Sequence, residues 1–286
     1  MGAVVAARYR AAMANQPAPA RRFSARSYRA AAALPVLLAL PVLLGGCGAP
    51  GWQGQAPAQL RDYQAAFERD AGTRFVGSAT GDEFLRLVTH ARVLWLGDHH
   101  RDLALHGRQL ALLQQLHERG VRCCLGLEAI GVDDQPAVAA FLAGHGDIDG
   151  LAQRLRARWP GSWLDAGDVD REHYRALLQF ARDSHTPVFA LEPTPRLPLP
   201  RRDAVIAASV QTAAERNPDR LVVTIVGQAH LLGDGRVPLR SELPSLLVGA
   251  VPPPGLAARA PMRLPRHGFV RSDGGLWFFA DLLPPR

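Results

Sequence analysis

Two apolar runs of strand character end in the same four-residue pattern, and this coincidence constrains the fold most. Val93-Leu94-Trp95-Leu96 leads into Gly97-Asp98-His99-His100, and Leu221-Val222-Val223-Thr224-Ile225-Val226 leads into Gly227-Gln228-Ala229-His230. Runs with almost no polar alternation suit strands buried on both faces, the condition of a parallel sheet. Similar runs occupy 121–127 and 187–191, and helical patterns fall at 60–69, 102–118, 135–142, 151–158, 172–184 and 203–216. This alternation predicts an α/β fold, a three-layer α/β/α arrangement with a mainly parallel sheet. Thr80-Gly81-Asp82-Glu83 fits a capping box, and Gly120 is placed to close the helix over 102–118. Residues 268–270 and 276–280 flank Ser272-Asp273-Gly274-Gly275, which predicts a C-terminal hairpin at the sheet edge.

In such sheets ligands bind at the C-terminal ends of the strands, where successive loops converge. A glycine there is expected to turn the chain off the strand, and a histidine three residues on can face the crevice. That spacing selects His100 and His230, and leaves His99 packed or exposed. Carboxylates gather at the same positions: Asp98, then Glu128 after Cys123-Cys124-Leu125-Gly126-Leu127, then Glu192. A carboxylate ending an apolar strand is costly without a partner. Glu128 is read as a metal ligand, an orienting group or a general base, and Glu192, among prolines, as structural. Asp98, His100, Glu128 and His230 form a candidate divalent-metal set for zinc, manganese or cobalt. In that case Glu128, His100 and His230 are the candidates for activating water. His106, on the helix that follows, is read equally as a site residue or a core histidine. His90, His117, His145, His173, His185 and His267 lack such context and are expected at the surface. Cys123 and Cys124 should alternate to opposite faces as buried free thiols.

The N-terminus reads as a targeting segment. Residues 1–46 hold six arginines and no acid, then an apolar stretch broken by Pro35 and Pro41, ending in Leu44-Gly45-Gly46-Cys47. The stretch falls short of the roughly 20 residues a membrane span needs. The pattern is that of a bacterial lipoprotein signal, with Cys47 as the lipidation site. Residues 47–60, rich in Gly, Pro, Ala and Gln, read as a flexible tether, and 61–286 as a single domain. The expected location is the bacterial cell envelope, at the outer membrane facing the periplasm, with a lipid anchor as the membrane contact. Without the signal, the formal net charge of +7 falls to about +1, and the chain has no lysine. No basic patch for nucleic acid is therefore expected.

Aromatic residues make up 7% of the chain, so Trp159, Trp163 and Tyr174 together form a local concentration able to floor a pocket for a flat ligand. Beyond the signal, Tyr63 and Tyr174 are the tyrosines and Met262 the methionine. A haem ligand would have to be a tyrosinate or a histidine. Leu96-Gly97-Asp98-His99-His100, His106-Gly107-Arg108-Gln109, Leu125-Gly126-Leu127-Glu128, the Trp159–Tyr174 stretch, Val188-Phe189-Ala190-Leu191, Gly227-Gln228-Ala229-His230 and Trp277-Phe278-Phe279-Ala280-Asp281 occur in an order that resembles the ChaN-like haem-binding lipoproteins of the Tiki/erythromycin-esterase superfamily. The family's first motif is Gly-Glu-x-His, so Asp98 stands one methylene shorter than usual. The resemblance implies haem binding and a part in haem or iron uptake, with Tyr174 or His106 as cofactor-binding residues and a homodimer able to share the site. It also implies the alternative of a metal-dependent hydrolase, as a Tiki-like peptidase or esterase. A third reading, from the residues alone, keeps them as a buried hydrogen-bonded network in a non-catalytic module binding a small ligand.

Overall fold

A computed structural model describes residues 57–158, 164, 170–194, 197–260, 264–265 and 267–283. The signal segment, Cys47, most of the tether, Trp159, Trp163 and Met262 lie outside the described residues. The strands are β1 (Phe75–Ala79), β2 (Val93–Asp98), β3 (Cys123–Gly131), β4 (Val188–Glu192), β5 (Leu221–Gly227), β6 (Ser245–Val248), β7 (Phe269–Ser272) and β8 (Trp277–Phe279). They form one sheet in the order β1-β7-β8-β6-β2-β5-β3-β4. From β4 to β8 all neighbours are parallel, whereas β7 runs antiparallel to both β8 and β1. The expected hairpin closes that side, and β1 adds one strand outside it.

The helices are α1 (Pro57–Asp70), α2 (Gly81–Val88), α3 (Leu103–Glu118), α4 (Gln135–Leu142), α5 (Ile148–Arg158), α6 (Arg171–Asp183), α7 (Leu199–Arg216), α8 (Val237–Arg240) and α9 (Pro254–Ala257). Their apolar stripes divide between the two faces of the sheet. Phe84, Leu113, Phe141, Leu155 and Leu177, from α2 to α6, pack with Leu94, Leu96, Cys123 and Leu125. Phe67, Ile206, Val210, Val237 and Leu256, from α1, α7, α8 and α9, pack with Trp95, Cys124, Val222 and Val226. Alternation along each strand makes this division, since successive side chains leave opposite faces. Cys123 and Cys124 show it directly, being free, buried and on opposite faces. Burial pushes their thiols up to about 12 and about 11, so both are held protonated.

The capping box at Thr80 and Glu83 is formed in full. Gly120 ends α3 with a φ of 76°, where a side chain would be strained. Helix α7 begins four residues before the predicted start, because Pro200 sits in its first turn, where a missing N–H costs nothing.

Candidate functional site at the strand C-termini

The two strand-end glycines act differently from the sharp turns expected of them. Gly97 stays within β2, and a Cβ there would lie 3.0 Å from both the Ala250 amide nitrogen and the Gln228 Cβ. It permits close approach of neighbouring chain. Gly227 ends β5 and donates its N–H to Glu128 Oε2 at 2.5 Å. Beyond each glycine a polar cluster forms, one on each face of the sheet.

The first cluster centres on Asp98, at the end of β2. Its Oδ1 accepts from His106 Nε2–H at 2.8 Å, and its Oδ2 accepts from the Tyr174 hydroxyl at 2.6 Å and His100 Nδ1–H at 2.8 Å. The other His106 nitrogen donates to Asp170 Oδ2 at 2.8 Å. Asp170 is also the N-cap of α6, its Oδ1 accepting from the His173 amide at 3.3 Å. Burial opposes ionisation of Asp98, but hydrogen bonds from His100 and His106 outweigh it and hold the carboxyl well below the usual range. Burial likewise opposes charge on both imidazoles, and hydrogen bonding to Asp98 overcomes it, so both sit above the usual histidine value. His173 stacks on His106 with centroids 4.0 Å apart and planes 3° apart. Burial and then the neighbouring His106 push it down to about 3, so it stays neutral. Its expected surface position is overturned: it is buried, and among the described residues its Nε2 has no hydrogen-bond partner.

The second cluster centres on Arg202, near the start of α7. Its guanidinium binds Glu192 through Nε–H at 2.8 Å and through Nη2–H, and binds Glu128 Oε1 through Nη2–H. All three groups are buried. Burial opposes ionisation of Glu128, but the Arg202 charge wins and the carboxyl falls to about 2. His230 follows on a short 3-10 turn, donating Nδ1–H to Asp203 Oδ1 at 2.5 Å. Its Nε2 lies 3.4 Å from Arg202 Nη1 and 3.8 Å from Glu128 Oε1. Tyr63, from α1, donates its hydroxyl to Asp203 Oδ2 at 3.0 Å. A break in register between β3 and β4, after Leu127, frees the stretch carrying Glu128 from regular pairing.

The four residues nominated as a metal set are thus brought to one edge but shared between two clusters. Asp98 is occupied by His100, His106 and Tyr174, and Glu128 by Arg202 and Gly227. Among the described residues no group of three or more His, Cys, Asp or Glu side chains is arranged to hold a metal ion. The nominated haem ligands are also committed: Tyr174 is 2% exposed and the His106 side chain 0%. His100 differs, with 42% of its side chain exposed. His99, Leu103, Val132 and Val251, which follow the ends of β2, β3 and β6, are exposed at the same edge.

Asp170, Arg202, Asp203 and Tyr63 carry no motif, yet helix phase marks three of them. Arg202 and Asp203 precede Ile206, Ala207 and Val210 on the buried face of α7, and Tyr63 precedes Ala66 and Phe67 on α1.

Residues 84–197 match the family model described as haem-binding uptake, Tiki superfamily, ChaN. Among solved structures, the chain is similar to the type III effector HopBA1, with 16% identity over 56% of this chain and 77% of that one and a TM-score of 0.40. It is similar to ChaN of Campylobacter jejuni, described with cofacial haem binding, with 12% identity over 59% and 84% and a TM-score of 0.37. RRSP, a MARTX toxin effector domain from Vibrio vulnificus, gives 17% identity over 81% and 44% and a TM-score of 0.45. No curated protein matches the chain. The stretch that matches that family model, residues 84–197, is the one that carries Asp98, His100, His106, Glu128, Asp170 and Tyr174.

Proposed function

We propose that this protein binds haem at the C-terminal edge of its sheet and serves haem or iron uptake from the cell envelope, anchored through lipidated Cys47. The observation that carries the reading is His100, half-exposed at that edge with Nδ1 held by Asp98 at 2.8 Å. An imidazole fixed by a carboxylate through one nitrogen is oriented, and a metal ligand held in this way is more basic. His99, Leu103, Val132 and Val251 are exposed beyond the ends of β2, β3 and β6 and offer imidazole and apolar surface to a flat, largely apolar ligand. Haem, when bound, supplies an iron centre whose properties follow its axial ligand. Titrating hemin into the protein should give a saturable Soret shift that His100→Ala abolishes. A titration with no saturation would sink the reading.

A second reading, hydrolysis of an ester or peptide bond, is favoured by His230. With Nδ1–H given to Asp203, its imidazole is held by a carboxylate as a general base is, and Nε2, which accepts from Arg202 Nη1–H at 3.4 Å, would exchange that contact for the water it activates. Turnover of aryl esters or peptides that disappears in His230→Ala would support it, and an inactive wild-type protein would count against it.

A further inference from the structure

We infer that Asp170, His106 and Tyr174 are positioning residues: they fix Asp98, and through it His100, and do not themselves take the haem iron. The inference rests on the haem reading above.

Hydrogen bonds run without a break from the N-terminus of α6 to the sheet edge. Asp170 accepts from His106, His106 donates to Asp98, and Asp98 accepts from His100 and Tyr174, over distances of 2.6 to 2.8 Å. Both ring nitrogens of His106 face carboxylate oxygens, so both donate. A histidine used in this way has no lone pair left for iron. One ring face is also covered by His173 at 4.0 Å. Tyr174 meets the same obstacle in another form. Ligation as a phenolate would remove the proton it donates and set two anions 2.6 Å apart in the core. Either side chain would have to leave the core to reach iron, and its departure would release the carboxylate that holds His100.

What these residues do instead follows from where their bonds end. Asp98 has one oxygen tied by His106 and the other by Tyr174, so its plane is fixed from both sides. A fixed acceptor fixes the donor, and His100 is the donor that reaches the surface. Asp170 adds stiffness because it is the N-cap of α6, which also carries Tyr174. The helix and the imidazole are therefore anchored by the same carboxylate.

The test is hemin binding to the whole protein and to Tyr174→Phe, His106→Gln and Asp170→Asn, with optical and EPR spectra recorded at saturation. Asparagine is a good N-cap, so the last variant keeps the helix start. The inference expects each variant to retain the wild-type Soret position and iron spin signature while binding about 10- to 100-fold more weakly, the usual scale for residues that orient a ligand. A saturated Tyr174→Phe or His106→Gln complex with an altered ligand signature would overturn it. If the wild-type protein binds no hemin, the haem reading fails, and the positioning role is then read on the ligand-free protein by ring-nitrogen NMR. There, at a pH high enough to leave the ring neutral, His100 should carry its proton on Nδ1 in the wild type and shift towards the Nε2–H form in Tyr174→Phe and Asp170→Asn. An unchanged tautomer in both variants would contradict the inference.

Discussion

The two faces of the sheet deliver similar residues to the same edge, yet one cluster opens to the surface and the other closes on itself. On the face covered by α3 and α6, an anion gathers donors: Asp98 takes hydrogen bonds from His100, His106 and Tyr174. One of those donors, His100, is half-exposed. On the face covered by α1 and α7, a cation gathers acceptors: Arg202 joins Glu128 and Glu192, and all three are buried. An imidazole at the rim of the cluster keeps part of its ring at the surface, whereas the paired carboxylates and guanidinium lie wholly inside. The difference is what places the proposed ligand on the Asp98 side and leaves the Arg202 side as an ion-pair network within the core.

Removing Arg202 should separate the two most sharply. Arg202→Met removes the cation shared by two buried carboxylates, and breaking such a network costs about 3–5 kcal/mol. Urea unfolding would measure it, and a loss under about 1 kcal/mol would break the comparison. His106→Leu comes next, because it removes the donor to Asp98 Oδ1 and the donor to Asp170 Oδ2, at about 3 kcal/mol for two charge-assisted hydrogen bonds. Tyr174→Phe should cost about 1.5 kcal/mol, and Tyr63→Phe about 1 kcal/mol, by the same measurement.

The same comparison can be sharpened through the pH dependence of stability. His100 and His106 have folded values raised above 6.5, so their contribution is complete below pH 6.5 and is lost as pH rises through the raised values. His173 falls to about 3, so below pH 6.5 the unfolded chain takes a proton that the fold refuses, and stability drops. Glu128, lowered from 4.5 to about 2, adds a further loss as pH falls below 4.5. Stability should therefore peak near pH 6.5, and His173→Asn should flatten the slope between 6.5 and 4.5. An unchanged slope in that variant would remove His173 from the account.

The parallel strands were legible because their apolar runs are long and uninterrupted, and helix phase was legible from leucine spacing. Strands β1 and β6 were not: Phe75–Ala79 is mostly exposed, and Ser245–Val248 is only four residues long. The edge that collects Asp98, His100, Glu128 and His230 could be read from strand ends alone. Its division into two clusters could not, because Arg202, Asp203, Asp170 and Tyr63 arrive from helices distant in sequence. A strand-end pattern fixes where a side chain begins but not which face supplies its partner. His173 illustrates the same gap, since only its stacking on His106 explains its burial.

Hemin titration of His100→Ala beside His230→Ala tests the division of labour most directly. The account predicts that His100→Ala abolishes the saturable Soret shift while His230→Ala retains it with the wild-type ligand signature. Loss of the shift in His230→Ala with full retention in His100→Ala would contradict it.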